Sequence, residues 1–417
     1  MKHERSFYVS FRGQNIIIIM EAIEKMAEPN IFDYATKELS QDAFFAWLLM
    51  CAKDAENMKL KEKGQAFVKL LFGDGYKVDE VFLQEKNIDL LVILRDDNSN
   101  GKQVAAIIED KTTSLLQKNQ MVKYCNMLSG TERDPNFWSN LKRKYPKADV
   151  CDEKEIQLSF CLYIRSDYLF AREQRVANKQ FVKIREKIAS LNNDNACSII
   201  SCDELDEFFD SCCGDQLYDS FIQYYNKKRE TRENAKKDWN SESKEERNTS
   251  LFTHIGQTQF FNAAFGPDKE QYYDLGTDMG WPWIALDILR DHPKQCYGIS
   301  YQFRSDFCNK NGKRLCFEQY REEKEHDERL ELKIDDLRTA VDLSKKIIEL
   351  LEQKYCNVKT NIRINEQKVS NYSKDKSYDK KTIFYIIFDD SPAEVETIAE
   401  FVQVFTEEFR KKYHNDD

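Results

Sequence analysis

The amino-acid sequence predicts an α/β protein: a mixed sheet flanked by helices, followed by a second, C-terminal α+β domain. Three observations carry that expectation. Short apolar runs of strand length alternate with longer segments at helical spacing through the first half of the chain. A stretch at 226–250, NKKRETRENAKKDWNSESKEERNTS, is almost wholly polar, and the pattern restarts beyond it. With only 13 Gly and 7 Pro in 417 residues, elements should be long and elaborate turns few.

Taken in order, Phe44, Trp47, Leu48 and Cys51 fall at helical spacing and predict a helix over 31–52 with one buried face. A second helix over 59–72 stops at Gly73-Asp74-Gly75, a turn signal. Strands follow at Val78–Gln84, Ile88–Leu94 and Gln103–Ile108, the last two joined by the hairpin loop RDDNSNG. A helix at 117–129, a strand at Leu158–Ile164, a basic helix near 173–192 and a short strand at 197–200 complete the first domain. Past the charged stretch come aromatic-rich 251–284, then strands at 296–303, 314–320, 328–333, 357–364 and 382–388, with helices at 336–354 and 393–412. The resulting division is an N-terminal extension (1–28), a first domain (29–225), a charged linker or helix (226–250) and an α+β domain (251–417).

Composition removes several function classes. Hydrophobic residues at 41% and aromatics at 12% exclude a disordered chain. The formal charge of −10 argues against a protein coated in nucleic-acid-binding surface, but phosphates respond to local charge, so a basic groove stays open. The 12 cysteines are scattered, with no C-x-x-C and no zinc spacing, and read as thiols in a reducing cytoplasm. The apolar run Ile16–Met20 is far too short to span a bilayer. A cytoplasmic protein without a membrane partner is expected.

The chemistry concentrates in VAAIIEDKTTS (104–114), an apolar run that stops at Glu109-Asp110-Lys111. Acid-x-Lys also occurs at Asp152, Glu242, Glu322, Glu352 and Glu366, but there in helices or polar segments. In a strand, Glu109 and Lys111 share a face, so carboxylate and ammonium converge, while Asp110 faces away. Asp89 interrupts the apolar run NIDLLVIL, and pairing through the hairpin at 95–102 brings it to Glu109 at the sheet end. Asp89 and Glu109, with the main-chain carbonyl of Asp110, form an oxygen-only site suited to Mg²⁺, or to Mn²⁺. Such an ion would polarise a scissile phosphate and acidify bound water. Lys111 would orient or deprotonate that water or balance charge on the phosphorus oxygens; beside carboxylates it should keep its proton, which favours the electrostatic role.

Asp89 followed by Glu109-x-Lys111 at the end of the next strand resembles the active site of the PD-(D/E)XK nuclease superfamily, whose fold is restriction-endonuclease-like. Gln120-Met-Val-Lys-Tyr124 matches the Gln-x-x-x-Tyr motif that many members carry on the next helix, and its two side chains share a helix face. NIFDYATKELSQDAFFAWLL is similar to the opening helix of one bacterial subgroup. The resemblance covers roughly residues 29–225. It implies a metal-dependent DNA nuclease with Asp89 and Glu109 as ligands, Lys111 as the catalytic lysine, and Gln120 and Tyr124 positioning substrate. It further implies an acidic residue of the first helix at the metal, Glu38 first and Asp42 second. The residue before Asp89 is Ile88 where the family motif has proline, and residues 1–28 have no counterpart, which leaves Met20 and Met26 as alternative starts. DNA is the implied partner, with a second copy of the chain or an accessory defence protein as protein partner, and restriction or phage defence as the implied role. The alternatives are an RNA-directed or repair nuclease, or a non-catalytic nucleic-acid-binding or regulatory protein that retains the fold.

Basic residues available for phosphate contact are Lys118 and Lys123, then Lys142, Arg143, Lys144 and Lys147, then Arg172, Arg175, Lys179, Lys183, Arg185 and Lys187. Trp281 and Trp283 could stack on bases, but as large aromatics they are expected in the core. The second domain carries no motif for a reaction, and by analogy serves recognition or regulation.

Overall fold

A computed structural model describes residues 30, 32, 37–112, 114–129, 134–151, 156–188, 194–278, 281–289, 297–305, 313–321, 334–364, 380–388 and 395–415. The chain opens with helices α1 (Lys37–Asp54) and α2 (Met58–Phe72), then strands β1 (Tyr76–Glu85), β2 (Ile88–Asp96) and β3 (Lys102–Lys111). Next come α3 (Gln120–Ser129), α4 (Phe137–Lys144), β4 (Gln157–Arg165), α5 (Ala171–Arg185), β5 (Cys197–Ile200) and α6 (Cys202–Phe208).

These five strands form one sheet in the order β1-β2-β3-β4-β5. β1–β2 and β2–β3 pair antiparallel, whereas β3–β4 and β4–β5 pair parallel. The sheet is therefore mixed, as expected. The parallel pairs follow from their long connections, which carry α3 and α4 in one case and α5 in the other. β2, β3 and β4 are buried almost throughout, which explains why they read as apolar runs without strict alternation.

Helices cover both faces. Leu90, Val92, Leu94, Val104, Ala106 and Ile108 turn toward α1 and α2, where Phe44, Phe45, Phe67 and Leu71 pack. Leu91, Ile93, Ala105 and Ile107 turn the other way, toward Met121, Trp138, Leu141 and Phe181 of α3, α4 and α5. α1 and α2 approach closely because Gly64 offers no side chain: a Cβ there would stand 2.5 Å from Ala52 N and 2.8 Å from Leu48 O. Truncating fully buried Phe45 to Ala would cost about 3–5 kcal/mol.

The charged stretch at 226–250 is helical for most of its length. α7 (Gln216–Asp238) starts on an Asp215 cap that accepts from Leu217 N and Tyr218 N, and α8 (Lys244–Leu251) follows. Tyr218, Phe221, Ile222, Tyr224 and Tyr225 of α7 belong to the core against α1. Ala235 and Leu251 belong to the core of the second sheet.

The remaining elements are α9 (His254–Phe265), β6 (Asp274–Asp278), β7 (Trp281–Asp287), β8 (Tyr297–Ser305), β9 (Lys313–Arg321), α10 (Ile334–Leu351), α11 (Cys356–Asn361), β10 (Ile362–Ile364), β11 (Lys380–Ile387) and α12 (Val395–Asn415). A second sheet runs β10-β11-β9-β8-β7-β6, every adjacent pair antiparallel. Phe260, Phe261, Ile347, Phe401 and Phe405 of α9, α10 and α12 pack on its inner face. The strand expected over 357–364 is corrected: Cys356–Asn361 is helical and only Ile362–Ile364 is extended. The alternation in NVKTNIRI has period two, but Val358 and Asn361, at helical spacing, are the buried residues of that turn. The strand expected at 328–333 lies outside the described residues. Trp283 is half-buried with its ring over Gly276 instead of in the core, and the Trp281 side chain lies outside the described residues. No helix among the described residues is long and apolar enough to cross a membrane.

Candidate active site

The antiparallel register of β2 and β3, with Leu90 opposite Ile108, places Asp89 across from Glu109 at the end of the sheet. The pleat then divides the triplet. Glu109 and Lys111 continue the face of Ala105 and Ile107 toward α3, and Asp110 continues the face of Ala106 and Ile108 toward α1.

On the α3 side, Lys111 Nζ lies 2.5 Å from Glu109 Oε1 and 3.3 Å from Asp89 Oδ2. It also donates to the Asp110 carbonyl at 3.2 Å. Asp89 Oδ2 accepts the Asp110 N–H at 3.0 Å, which pins that carboxylate to the backbone of β3. Gln120, the first residue of α3, donates from Nε2 to Glu109 Oε1 at 2.6 Å and to the Tyr124 hydroxyl at 3.0 Å. One helical turn separates Gln120 and Tyr124, so both project from the same face. Asp89, Glu109, Lys111, Gln120 and Tyr124 thus form one connected cluster.

On the α1 side, the Asp110 carboxylate is buried and accepts both bonds of the Gln41 amide, at 2.8 and 2.7 Å. Asp42 is 2% exposed and stands beside the Asp110 carboxyl. Gln84 links the two faces: its Nε2 donates to Asp42 Oδ2 at 3.0 Å and to Asp89 Oδ1 at 3.2 Å. Gln84 does so from a left-handed backbone (φ 55°), just before Lys86 and Asn87 (φ 55° and 68°) at the β1–β2 turn. Of the two acidic residues considered on the first helix, Asp42 stands in this cluster. The Glu38 side chain lies outside the described residues.

Four carboxyls, those of Asp42, Asp89, Glu109 and Asp110, thus meet one ammonium in a largely buried volume. Burial, and after it the charge of Asp89, pushes Glu109 up to about 8 and Asp42 up to about 7. Burial and the neighbouring Asp42 push Asp110 well above the usual carboxylate range. The site is short of positive charge. Glu109 Oε2 and Asp42 Oδ1 are buried without a hydrogen-bond partner, and an oxygen donor set of this kind suits a hard divalent ion. No group of three or more His, Cys, Asp or Glu stands at metal-holding geometry among the described residues; in this arrangement the Lys111 ammonium bridges the two carboxylates instead.

Several of the basic residues have partners of their own. Lys144 and Tyr145 both bond Glu85, and Arg143 donates to Asn140. Arg172 pairs with Asp274 at 3.1 Å. Lys183 and Lys187 reach Asn119 and Asn126 on the α3 side, and Lys118 and Lys123 are exposed there. Arg175 and Lys179 line a cavity of about 530 Å³ with Asn178, Asp268 and Gln271.

Sequence reasoning missed Gln41 and Gln84 as parts of the cluster. A Gln-Asp pair inside the apolar stretch of α1 was the available signal for Gln41. Nothing local to Gln84 announces its contacts. Compared with family models, with curated proteins and with solved structures, the chain gives no match.

Proposed function

We propose that the protein is a metal-dependent nuclease that hydrolyses DNA phosphodiester bonds in the cytoplasm, with restriction or phage defence as its setting and the nuclease superfamily named above as its kin. The observation that carries this reading is the convergence of Asp89, Glu109 and Lys111 at one sheet end, with Gln120 bonded to Glu109. Asp89, Glu109 and the Asp110 carbonyl would hold Mg²⁺ or Mn²⁺, with Asp42 the acidic neighbour on α1. When bound, such an ion polarises the phosphate and acidifies the attacking water.

The chain's own groups have definite tasks. Gln120 fixes one oxygen of Glu109 and leaves Oε2 free to ligate. Asp89 is oriented by the Asp110 N–H and by Gln84. Lys111, released from its carboxylates, offers positive charge to the non-bridging oxygens as they become more negative. Tyr124 accepts from Gln120 and steadies the amide.

A second reading has one observation in its favour. The Lys111 ammonium already pairs with both Asp89 and Glu109, which is also how a non-catalytic protein would close a retained site. Incubation with linear, circular and single-stranded DNA, with and without Mg²⁺, beside Lys111→Ala, separates the two. Metal-dependent cutting lost in the variant supports the nuclease. Cutting that survives Lys111→Ala, or binding with no cutting under any condition, refutes it.

A further inference from the structure

Residues 114–119, just ahead of α3, are neither helix nor strand, yet they are fixed from outside. Arg165 Nη1, at the end of β4, donates to the Ser114 carbonyl at 2.6 Å. On α5, Glu173 Oε1 accepts the Leu116 N–H at 3.2 Å and also receives the Tyr163 hydroxyl, while its Oε2 lies 3.4 Å from Arg165 Nε. Two turns along the same face, Gln180 Nε2 donates to the Gln117 carbonyl and Oε1 accepts the Met121 N–H, both at 3.0 Å. Glu173 and Gln180 are 4% and 3% exposed, so each is a polar side chain buried for these contacts.

Gln180 matters most, because its bonds lead straight to the site. Met121 N–H is one of the donors that a helix start leaves unsatisfied. Gln117 carries the second link: its N–H faces Gln120 Oε1 at 3.4 Å. With Oε1 turned toward Gln117, Gln120 must present Nε2 to Glu109 and Tyr124. A reversed amide would set its NH₂ against the Gln117 N–H, two donors face to face.

We propose that Gln180 is a positioning residue: by holding Gln117 and the start of α3 it sets the orientation of the Gln120 amide, and through it the Glu109 carboxylate. Its catalytic consequence rests on the nuclease reading; its geometric consequence does not.

The test uses full-length protein labelled with ¹⁵N-glutamine, the Gln120 side-chain signals being assigned by their loss in Gln120→Met. In Gln180→Met those signals should shift and their protons exchange at least about tenfold faster, with no change in Gln174→Met, an exposed control on the same helix. Gln180→Glu keeps the acceptor for Met121 and loses the donor to Gln117. It should reproduce the change while leaving the helix start capped. Unchanged Gln120 signals in a folded Gln180 variant would overturn the proposal.

With DNA and Mg²⁺, Gln180→Met and Gln120→Met should each lower kcat about tenfold with KM unchanged, and the double variant should be no worse than either. Additive losses mark Gln180 as merely structural and overturn the positioning role. Absence of cutting by the unaltered protein counts against the nuclease reading alone, and the amide signals then decide the proposal.

Discussion

Lys111 Nζ sits 2.5 Å from Glu109 Oε1, two residues away on the same face of β3, in a volume where the Glu109 side chain is fully buried. This pair is the hinge of the proposed chemistry. Lys111→Ala should abolish metal-dependent cleavage, a loss of at least about 100-fold if the ammonium stabilises charge in the transition state. A single-turnover assay at saturating Mg²⁺ checks it. Retained cleavage would remove Lys111 from the mechanism.

The same burial makes stability depend on pH. Glu109 at about 8 and Asp42 at about 7 both lie above their unfolded values, so the folded chain binds more protons. In EDTA, stability should be greatest below about pH 4 as far as these two groups are concerned, and be lost as pH rises through 7 to 8. Glu109→Gln should flatten that loss and add roughly 1–4 kcal/mol near pH 9, since each tenfold change in proton affinity is worth about 1.4 kcal/mol. Thermal melts from pH 5 to 9 decide it; an unchanged slope would contradict the raised Glu109 carboxyl.

Metal affinity should run the opposite way. Glu109 must give up its proton to ligate, so Mn²⁺ binding should tighten as pH rises through about 8 and release a proton. Calorimetry in two buffers of different ionisation enthalpy measures that proton directly. Asp89→Asn and Glu109→Gln should each weaken binding by about tenfold or more, as should, more mildly, loss of the orienting Gln120.

Phosphate binding can be tested apart from cleavage. Exchanging exposed Lys118 and Lys123 for Gln should lower oligonucleotide affinity and make the salt dependence shallower, by roughly 0.9 for each phosphate left without its lysine. A Lys111→Ala background in EDTA isolates binding. An unaltered salt slope would clear both lysines of a role at the phosphates.

Packing makes an independent prediction. Gly276→Ala would set a Cβ 2.3 Å from the Trp283 ring, and Gly64→Ala would force α1 from α2. Each should cost about 1–3 kcal/mol through overpacking, read from denaturant midpoints. Gly64→Ala should also disturb the site, because α1 carries Gln41 and Asp42.

What could be read in advance was what local geometry governs. Strand parity assigns Glu109, Asp110 and Lys111 to their faces, and the i, i+4 rule joins Gln120 to Tyr124. Apolar runs gave away β2, β3 and β4 for the same reason. Gln84 and Gln180 were not legible, and the Gln41-Asp42 pair marked only a polar spot without its partner, since these residues act 42, 63 and 69 positions away through bonds that only the folded chain creates. The helix at 137–144 hid inside a basic stretch, and β6 and β7 inside an aromatic one, where neither period stands out.

The pleat of β3 has a last consequence, for heredity more than for chemistry. Val104 and Ile108 could each exchange for an apolar residue of similar volume with modest effect. A single residue inserted ahead of Glu109 would instead trade the two sides of the sheet. Asp110 would then face α3 alone, while Glu109 and Lys111 would turn toward Gln41. The strand forgives changes of letter and forbids changes of register.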